Sequence, residues 1–140
     1  MRAVTDTLHL RLAPEAAQVS TLLDALEAYV EAQELPMKAA SRLVLLADEL
    51  AANVVMHAKG ATFFAIDVSR GPDVVTFTMT DDGPEYDPLG RGEANINASL
   101  DERELGGLGV HFVEKLASTV DWRREADHNI LTITLDAAAE

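Results

Sequence analysis

Apolar residues in this chain change their spacing at definite points, and the order of those changes restricts the fold more than any other feature. Residues 5–12, TDTLHLRL, alternate Leu8, Leu10 and Leu12 with polar neighbours, as a half-buried strand does. Residues 15–34 switch to helical spacing through Val19, Leu22, Leu23, Leu26 and Val30. Pro14 sits where a helix can begin, and Pro36 stops it. A second helical pattern covers 37–57 and runs out near Lys59-Gly60. Strands are expected at about 61–69 and 73–81, split by the turn-forming run Arg70-Gly71-Pro72-Asp73. Beyond a polar interval, 107–118 reads as a helix, 119–125 as a strand and 129–135, NILTITL, as a strand. This order fits an α/β two-layer sandwich: a mixed, mostly antiparallel sheet with helices on one face. No repeat or linker interrupts the pattern, so residues 1–140 are expected to form one domain.

Composition narrows the chemistry. Apolar residues make up 48% of the chain, enough to build a core. The absence of cysteine removes disulfides, thiolate metal sites and cysteine nucleophiles together. No segment approaches the run of about 18 apolar residues that a membrane helix needs, and the first residues lack an apolar signal core. A cytoplasmic protein with no membrane partner is expected. The 24 acidic residues against 11 Lys plus Arg give a net charge of −13, so nucleic acid is not expected as a partner either. An anionic ligand must then be held by backbone N–H groups, a metal ion or a few placed cations.

Three constellations carry chemical potential. Glu49, Asn53 and His57 follow one another at i, i+4 on the second helix, within an arc of about 80°. Ala40, Leu43, Ala47, Leu50, Ala51 and Val54 form the opposite, core-facing stripe, while Leu45, Leu46 and Met56 flank the polar trio. The same spacing also suits an ordinary solvated face, and His57 also suits the negative end of a helix. Asp81-Asp82-Gly83-Pro84-Glu85 follows an apolar strand, where a carboxylate can accept from an exocyclic amine and glycine lets a ligand approach the backbone. An acidic turn reads the same way. Gly106-Gly107-Leu108-Gly109-Val110 closes the polar interval and opens a helix, presenting N–H groups and the positive dipole end to phosphates. It is neither a P-loop nor a dinucleotide fingerprint. The four histidines (9, 57, 111 and 128) show no metal-ligand spacing on one element.

The ordered set of motifs resembles the GHKL, or Bergerat, ATP-binding superfamily: Glu49-x-x-x-Asn53 on a helix, Asp81-x-Gly83 after a strand, Gly107-Leu108-Gly109 opening a helix. The stretch DDGPEYDP and the run LGGLGVHFVEKLAS followed by NILTITL are similar to the RsbW/SpoIIAB family of anti-sigma-factor serine kinases. The resemblance covers essentially the whole chain. It implies ATP and Mg²⁺ as cofactors, Glu49 as general base and Asn53 as the Mg²⁺ ligand. It further implies that Asp81 accepts from the adenine amino group, that Gly83 gives room beside the base, and that Gly107, Leu108, Gly109 and Val110 bind the phosphates. Asn129 stands where the superfamily often has a threonine near the adenine. An ATP lid is implied at about 84–106, with Arg91 and Arg103 as candidate phosphate contacts. The implied partners are a STAS-domain anti-sigma-factor antagonist, phosphorylated on serine, a sigma factor, and a second copy of the chain in a homodimer.

Two features depart from the superfamily pattern. DxGxG becomes Asp81-Asp82-Gly83-Pro84-Glu85, so the second glycine is missing and Pro84 stiffens the loop. The lid region also lacks a dense basic cluster. The main rival reading is a non-catalytic module that sequesters a sigma factor or other regulator, against which Glu49 argues, since a pure binder needs no base. A detached histidine-kinase domain or a large coupled ATPase fits less well, because the chain has no dimerisation helix pair and no room for a coupling domain.

Overall fold

A computed structural model describes residues 7–85, 113 and 115–138 of the chain. In order they form β1 (Thr7–Leu12), α1 (Ala16–Ala32), α2 (Met37–His57), β2 (Phe64–Arg70), β3 (Val74–Asp81), β4 (Thr119–Glu125) and β5 (His128–Asp136). The five strands make one sheet in the order β1-β2-β3-β5-β4. Every pairing among them is antiparallel, so the parallel admixture expected from the sequence is absent from the described strands. Of the third helix expected over 107–118, Val113, Lys115 and Leu116 are described and are helical. Arg91, Arg103, Gly107, Leu108, Gly109, Val110 and all of the expected lid beyond residue 85 lie outside the described residues.

Alternation builds the sheet's inner face. Val75, Phe77 and Met79 of β3 and Leu131, Ile133 and Leu135 of β5 are buried, with Phe64, Ile66 and Val68 of β2 beside them. Threonines at 76, 78, 80, 132 and 134 take the other face, and no described helix covers it. The helical layer presses on the inner face through Leu22, Leu26 and Tyr29 of α1 and Leu43, Leu46, Ala47, Leu50, Ala51 and Val54 of α2. Two details of the expected stripes change. Tyr29 joins the α1 stripe while Leu23 stays half-buried, and Leu46 belongs to the core rather than to the polar side of α2.

Turn chemistry sets the boundaries. α1 ends two residues before the expected position, in a Schellman arrangement with Gln33 as its C-cap. There Leu35 N–H donates to Val30 O at 3.1 Å and Glu34 N–H to Glu31 O at 3.1 Å. The arrangement puts Glu34 at φ 53°, in the left-handed region. Arg70 Nη1 reaches back from β2 to Gln33 O at 2.7 Å and satisfies a carbonyl at the same helix end. β4 and β5 are joined by Ala126 and Asp127, both with positive φ, the backbone of a two-residue hairpin turn. β2 begins at Phe64 rather than 61 because the N–H groups of Thr62 and Phe63 are taken by the Asp82 carboxylate.

Candidate functional site

At one end of the sheet the inner-face alternation carries polar residues in positions the apolar pattern would fill. Asp81 continues Val75, Phe77 and Met79; Asn129 continues Leu135, Ile133 and Leu131; Arg124 continues Val120 and Trp122. Asp81 pairs across β3 and β5 with Asn129, and Asn129 pairs across β5 and β4 with Arg124. The three side chains therefore form one row across three strands. The C-terminal half of α2 lies over this end and contributes Asn53.

Between them is a narrow cleft, partly open to solvent. Leu50, Val54, Met79, Trp122 and Leu131 give it apolar walls, and Asn53, Asp81 and Asn129 are its polar groups. This is the composition of a small-molecule site, mostly apolar with a few convergent polar groups. Asp81 is only 8% exposed, and its Oδ1 accepts from Gly83 N–H at 2.9 Å and Asn129 Nδ2 at 3.0 Å. Among the described residues Oδ2 has no partner, which leaves one charged acceptor for whatever fills the cleft. Asn53 is 9% exposed, and its amide also has no hydrogen bond among the described residues. Trp122 Nε1 is buried and has no acceptor among the described residues. A buried polar group left unpaired is costly, and this one lies in the wall of the same cleft as Asp81 Oδ2 and the Asn53 amide, an arrangement that a ligand with matching polar groups would complete.

The loop after β3 is tied down from both sides. Asn129 Nδ2 donates to Pro84 O at 2.8 Å and Arg124 Nη1 to Gly83 O at 2.8 Å. On the far side Asp82 Oδ1 accepts from Thr62 N–H at 2.7 Å and Phe63 N–H at 3.2 Å, and Oδ2 accepts from the Thr62 hydroxyl. Burial raises the Asp82 pKa, but the bonds from the Thr62 hydroxyl and the Thr62 and Phe63 N–H groups outweigh it and hold it below the ordinary 3.8. Gly83 is packed against the α2–β2 connection. A Cβ there would stand 2.9 Å from the Ala58 Cβ, 3.1 Å from Asp81 Oδ1 and 3.3 Å from the Ala61 Cβ. The protein itself thus needs a glycine at this position.

The structure brings Asn53, Asp81 and Asn129 together and puts Gly83 in the loop behind them. Glu49 is not in the cleft wall. It is half-buried one turn before Asn53 on α2 and has no hydrogen-bond or ion-pair partner among the described residues. His57 is the last residue of α2, and its side chain lies outside the described residues. No cluster of three or more His, Asp or Glu side chains able to hold a metal occurs among the described residues. A metal at this site would rest on the Asn53 oxygen and on oxygens of the ligand, which suits a hard ion such as Mg²⁺. The Asn53 amide, in the cleft wall and without a partner among the described residues, fits that requirement. No helix among the described residues is long and apolar enough to cross a membrane.

Sequence reasoning missed Asp82, Trp122 and Arg124. For the last two a signal was present: in the strand read at 119–125, the period that half-buries Val120 and Trp122 also turns Arg124 inward. Asp82 had no such signal, because its partners lie 19 and 20 residues away in another loop.

Residues 12–135 match the family model described as the histidine kinase-like ATPase domain. The chain is 29% identical to the serine/threonine-protein kinase BtrW of Bordetella bronchiseptica, over all of this chain and 99% of that protein. Among solved structures it is similar to the RsbU and RsbW domains of a Mycobacterium tuberculosis protein, with TM-score 0.69 and 17% identity. That match covers 99% of this chain but only 34% of the longer one. A chain of the Pseudomonas aeruginosa SiaB-SiaC complex is similar at TM-score 0.62 and 14% identity, over 92% of this chain and 88% of that one.

Proposed function

The chain belongs to the histidine kinase-like ATPase family, and from that premise we propose that it is an RsbW-like, ATP-dependent protein-serine kinase of a partner-switching system. Its substrate on this reading is a STAS-type antagonist protein, and phosphorylation of the antagonist frees the kinase to hold a sigma factor or another regulator. The similarity to BtrW, a named serine/threonine kinase, and to a chain from a two-protein complex supports a protein substrate.

One observation carries the reading: the graded burial of a single face of α2. At successive i, i+4 steps Leu45 is 37% exposed, Glu49 is half-buried and Asn53 is 9% exposed and lines the cleft. The face thus runs from the surface to the cleft wall, with midway a carboxylate that has no partner among the described residues. Asp81 Oδ2 would accept from the adenine amine against the apolar walls, and Asn53 would hold Mg²⁺. Bound Mg²⁺-ATP supplies the phosphoryl group with its charge partly neutralised, and the chain's part is positioning. Glu49 accepts the proton of a serine hydroxyl presented from outside. Standing about 6 Å along the helix axis from Asn53, it is reachable by a protein side chain that never enters the base pocket. Gly107, Leu108, Gly109 and Val110 are the proposed phosphate donors, through backbone N–H groups.

The test is phosphotransfer from Mg²⁺-ATP to the candidate antagonist, with wild type, Glu49→Ala and Asn53→Ala. Phosphoserine on the antagonist from wild type, and almost none from either variant, supports the assignment. Wild type that binds nucleotide and antagonist but transfers nothing makes the chain a sequestering module and removes the catalytic role of Glu49.

A further inference from the structure

We infer that Arg124 is a positioning residue for the base end of the cleft, holding the 82–85 loop in the shape that leaves Asp81 Oδ2 open to the ligand. The inference rests on the nucleotide reading given above and goes beyond it by assigning a residue on β4.

Backbone accounting leads to it. The β3–β5 ladder ends with Asp81 opposite Asn129, so the carbonyls that follow have no neighbouring strand to accept from. Side chains satisfy them instead: Arg124 Nη1 on Gly83 O and Asn129 Nδ2 on Pro84 O, both at 2.8 Å. The two donors are themselves cross-strand partners, so the β4–β5 hairpin grips consecutive carbonyls with consecutive strands. Proline at 84 has no N–H with which the loop could close a bond of its own there. Asn129 Nδ2 also donates to Asp81 Oδ1, so the carbonyl grip and the aim of the carboxylate belong to one network.

Arg124 has another conceivable use, contact with a ligand phosphate. The geometry is against it. Arg124 does not line the cleft, and its one hydrogen bond among the described residues goes to a neutral carbonyl. It makes no ion pair among the described residues, although Asp81, Asp82 and Glu85 lie in or beside the loop it holds. A guanidinium in that setting fixes a backbone shape, which its fork of donors does well.

Calorimetric titration of the full chain with adenosine and with Mg²⁺-ATP separates the alternatives, using wild type, Arg124→Gln, Arg124→Lys and Asp81→Ala. Arg124→Gln is expected to weaken adenosine and ATP by the same factor, about tenfold, or roughly 1.4 kcal/mol. Arg124→Lys is expected to recover part of the loss for both ligands, because its longer stem brings a charged donor nearer to the Gly83 carbonyl than the shorter glutamine amide comes. A loss confined to ATP assigns Arg124 to the phosphates and overturns the inference. Unchanged affinity in Arg124→Gln, with Asp81→Ala abolishing binding, overturns it too and leaves the nucleotide reading standing. Wild type that binds neither ligand overturns the nucleotide reading itself. Thermal unfolding without ligand checks that each variant is folded. If the glutamine variant is not, the lysine variant carries the test: a small loss common to both ligands supports the inference, and a loss for ATP alone overturns it.

Discussion

Asp81→Asn tests the base pocket by exchanging one carboxylate oxygen for an NH₂ group, with almost no change of shape. In wild type, Oδ1 accepts from Gly83 N–H and Asn129 Nδ2, and Oδ2, which has no partner among the described residues, is the oxygen left for a ligand donor. An asparagine keeps its carbonyl oxygen on those two donors, which forces its NH₂ group toward the cleft. The adenine amine then meets a donor instead of a charged acceptor. A hydrogen bond to a charged group contributes about 1.5–3 kcal/mol, so ATP should bind roughly 10- to 150-fold more weakly. Folding should change far less. The two bonds to Oδ1 lose their charge assistance, but a buried carboxylate is also removed, and the net effect should stay within about 1 kcal/mol. The same geometry predicts a reversal: an inosine nucleotide, with an acceptor oxygen where adenine has its amine, should bind the variant better than it binds wild type. Calorimetry with ATP and ITP, together with thermal unfolding of the unliganded proteins, measures all three quantities. Equal ATP affinity in the two proteins refutes the role given to Oδ2. A loss for ATP with no relative gain for ITP refutes the donor–acceptor argument, even though Asp81 would still matter.

Four other outcomes are expected. Trp122 is the only tryptophan and lines the cleft, so its emission should change on titration with adenosine as well as ATP, and a response to neither removes the base from that wall. Glu34→Gly, at φ 53°, should raise stability by about 0.5–1 kcal/mol in urea unfolding, since glycine relieves the left-handed strain. Asp82→Ala should lower stability by about 1 kcal/mol at pH 7. Because folding depresses the Asp82 pKa, its contribution is present above 3.8 and is lost as pH falls through the lower folded value, so wild-type and variant curves should converge there. With a net charge of −13, the chain should bind ATP faster as salt rises from about 0.02 to 0.15 M, while adenosine association stays flat in stopped-flow traces.

What could be read from the sequence was what one element decides alone. The period of two placed β5 to within one residue at each end, and the i, i+4 step put Glu49 and Asn53 on one helix face. What it could not supply was how elements meet. Leu46 looked like part of the polar side of α2, yet it is core, because α2 is covered over a wider arc than its own stripe implies. Glu34 carries no glycine signal for its left-handed cap, since Leu35 and Arg70 stabilise that turn from outside the helix. The apposition of Asp81 and Asn129 depends on the β3–β5 register, and 48 residues of sequence separate the pair. Gly83 was read as room for a ligand. In the folded chain the Cβ atoms of Ala58 and Ala61 already require it.

The acidity that argued against a nucleic-acid partner has a use once the site is assembled. On the proposed reading, carboxylates mark the base end of the cleft: Asp81 in its wall, Asp82 and Glu85 in the loop behind. A nucleotide entering phosphate-first would carry its charge toward Asp81 Oδ2 between apolar walls, where little water screens the repulsion. Entering base-first, it meets an acceptor matched to its amine and surfaces matched to its ring. The uncharged Asn53 stands across the cleft, on the helix that leads outward to Glu49. Orientation is therefore selected by exclusion at the base end before any phosphate contact is made. That selection uses residues on β3, β5 and α2, whose positions the sheet and helix fix independently of how the phosphates are held.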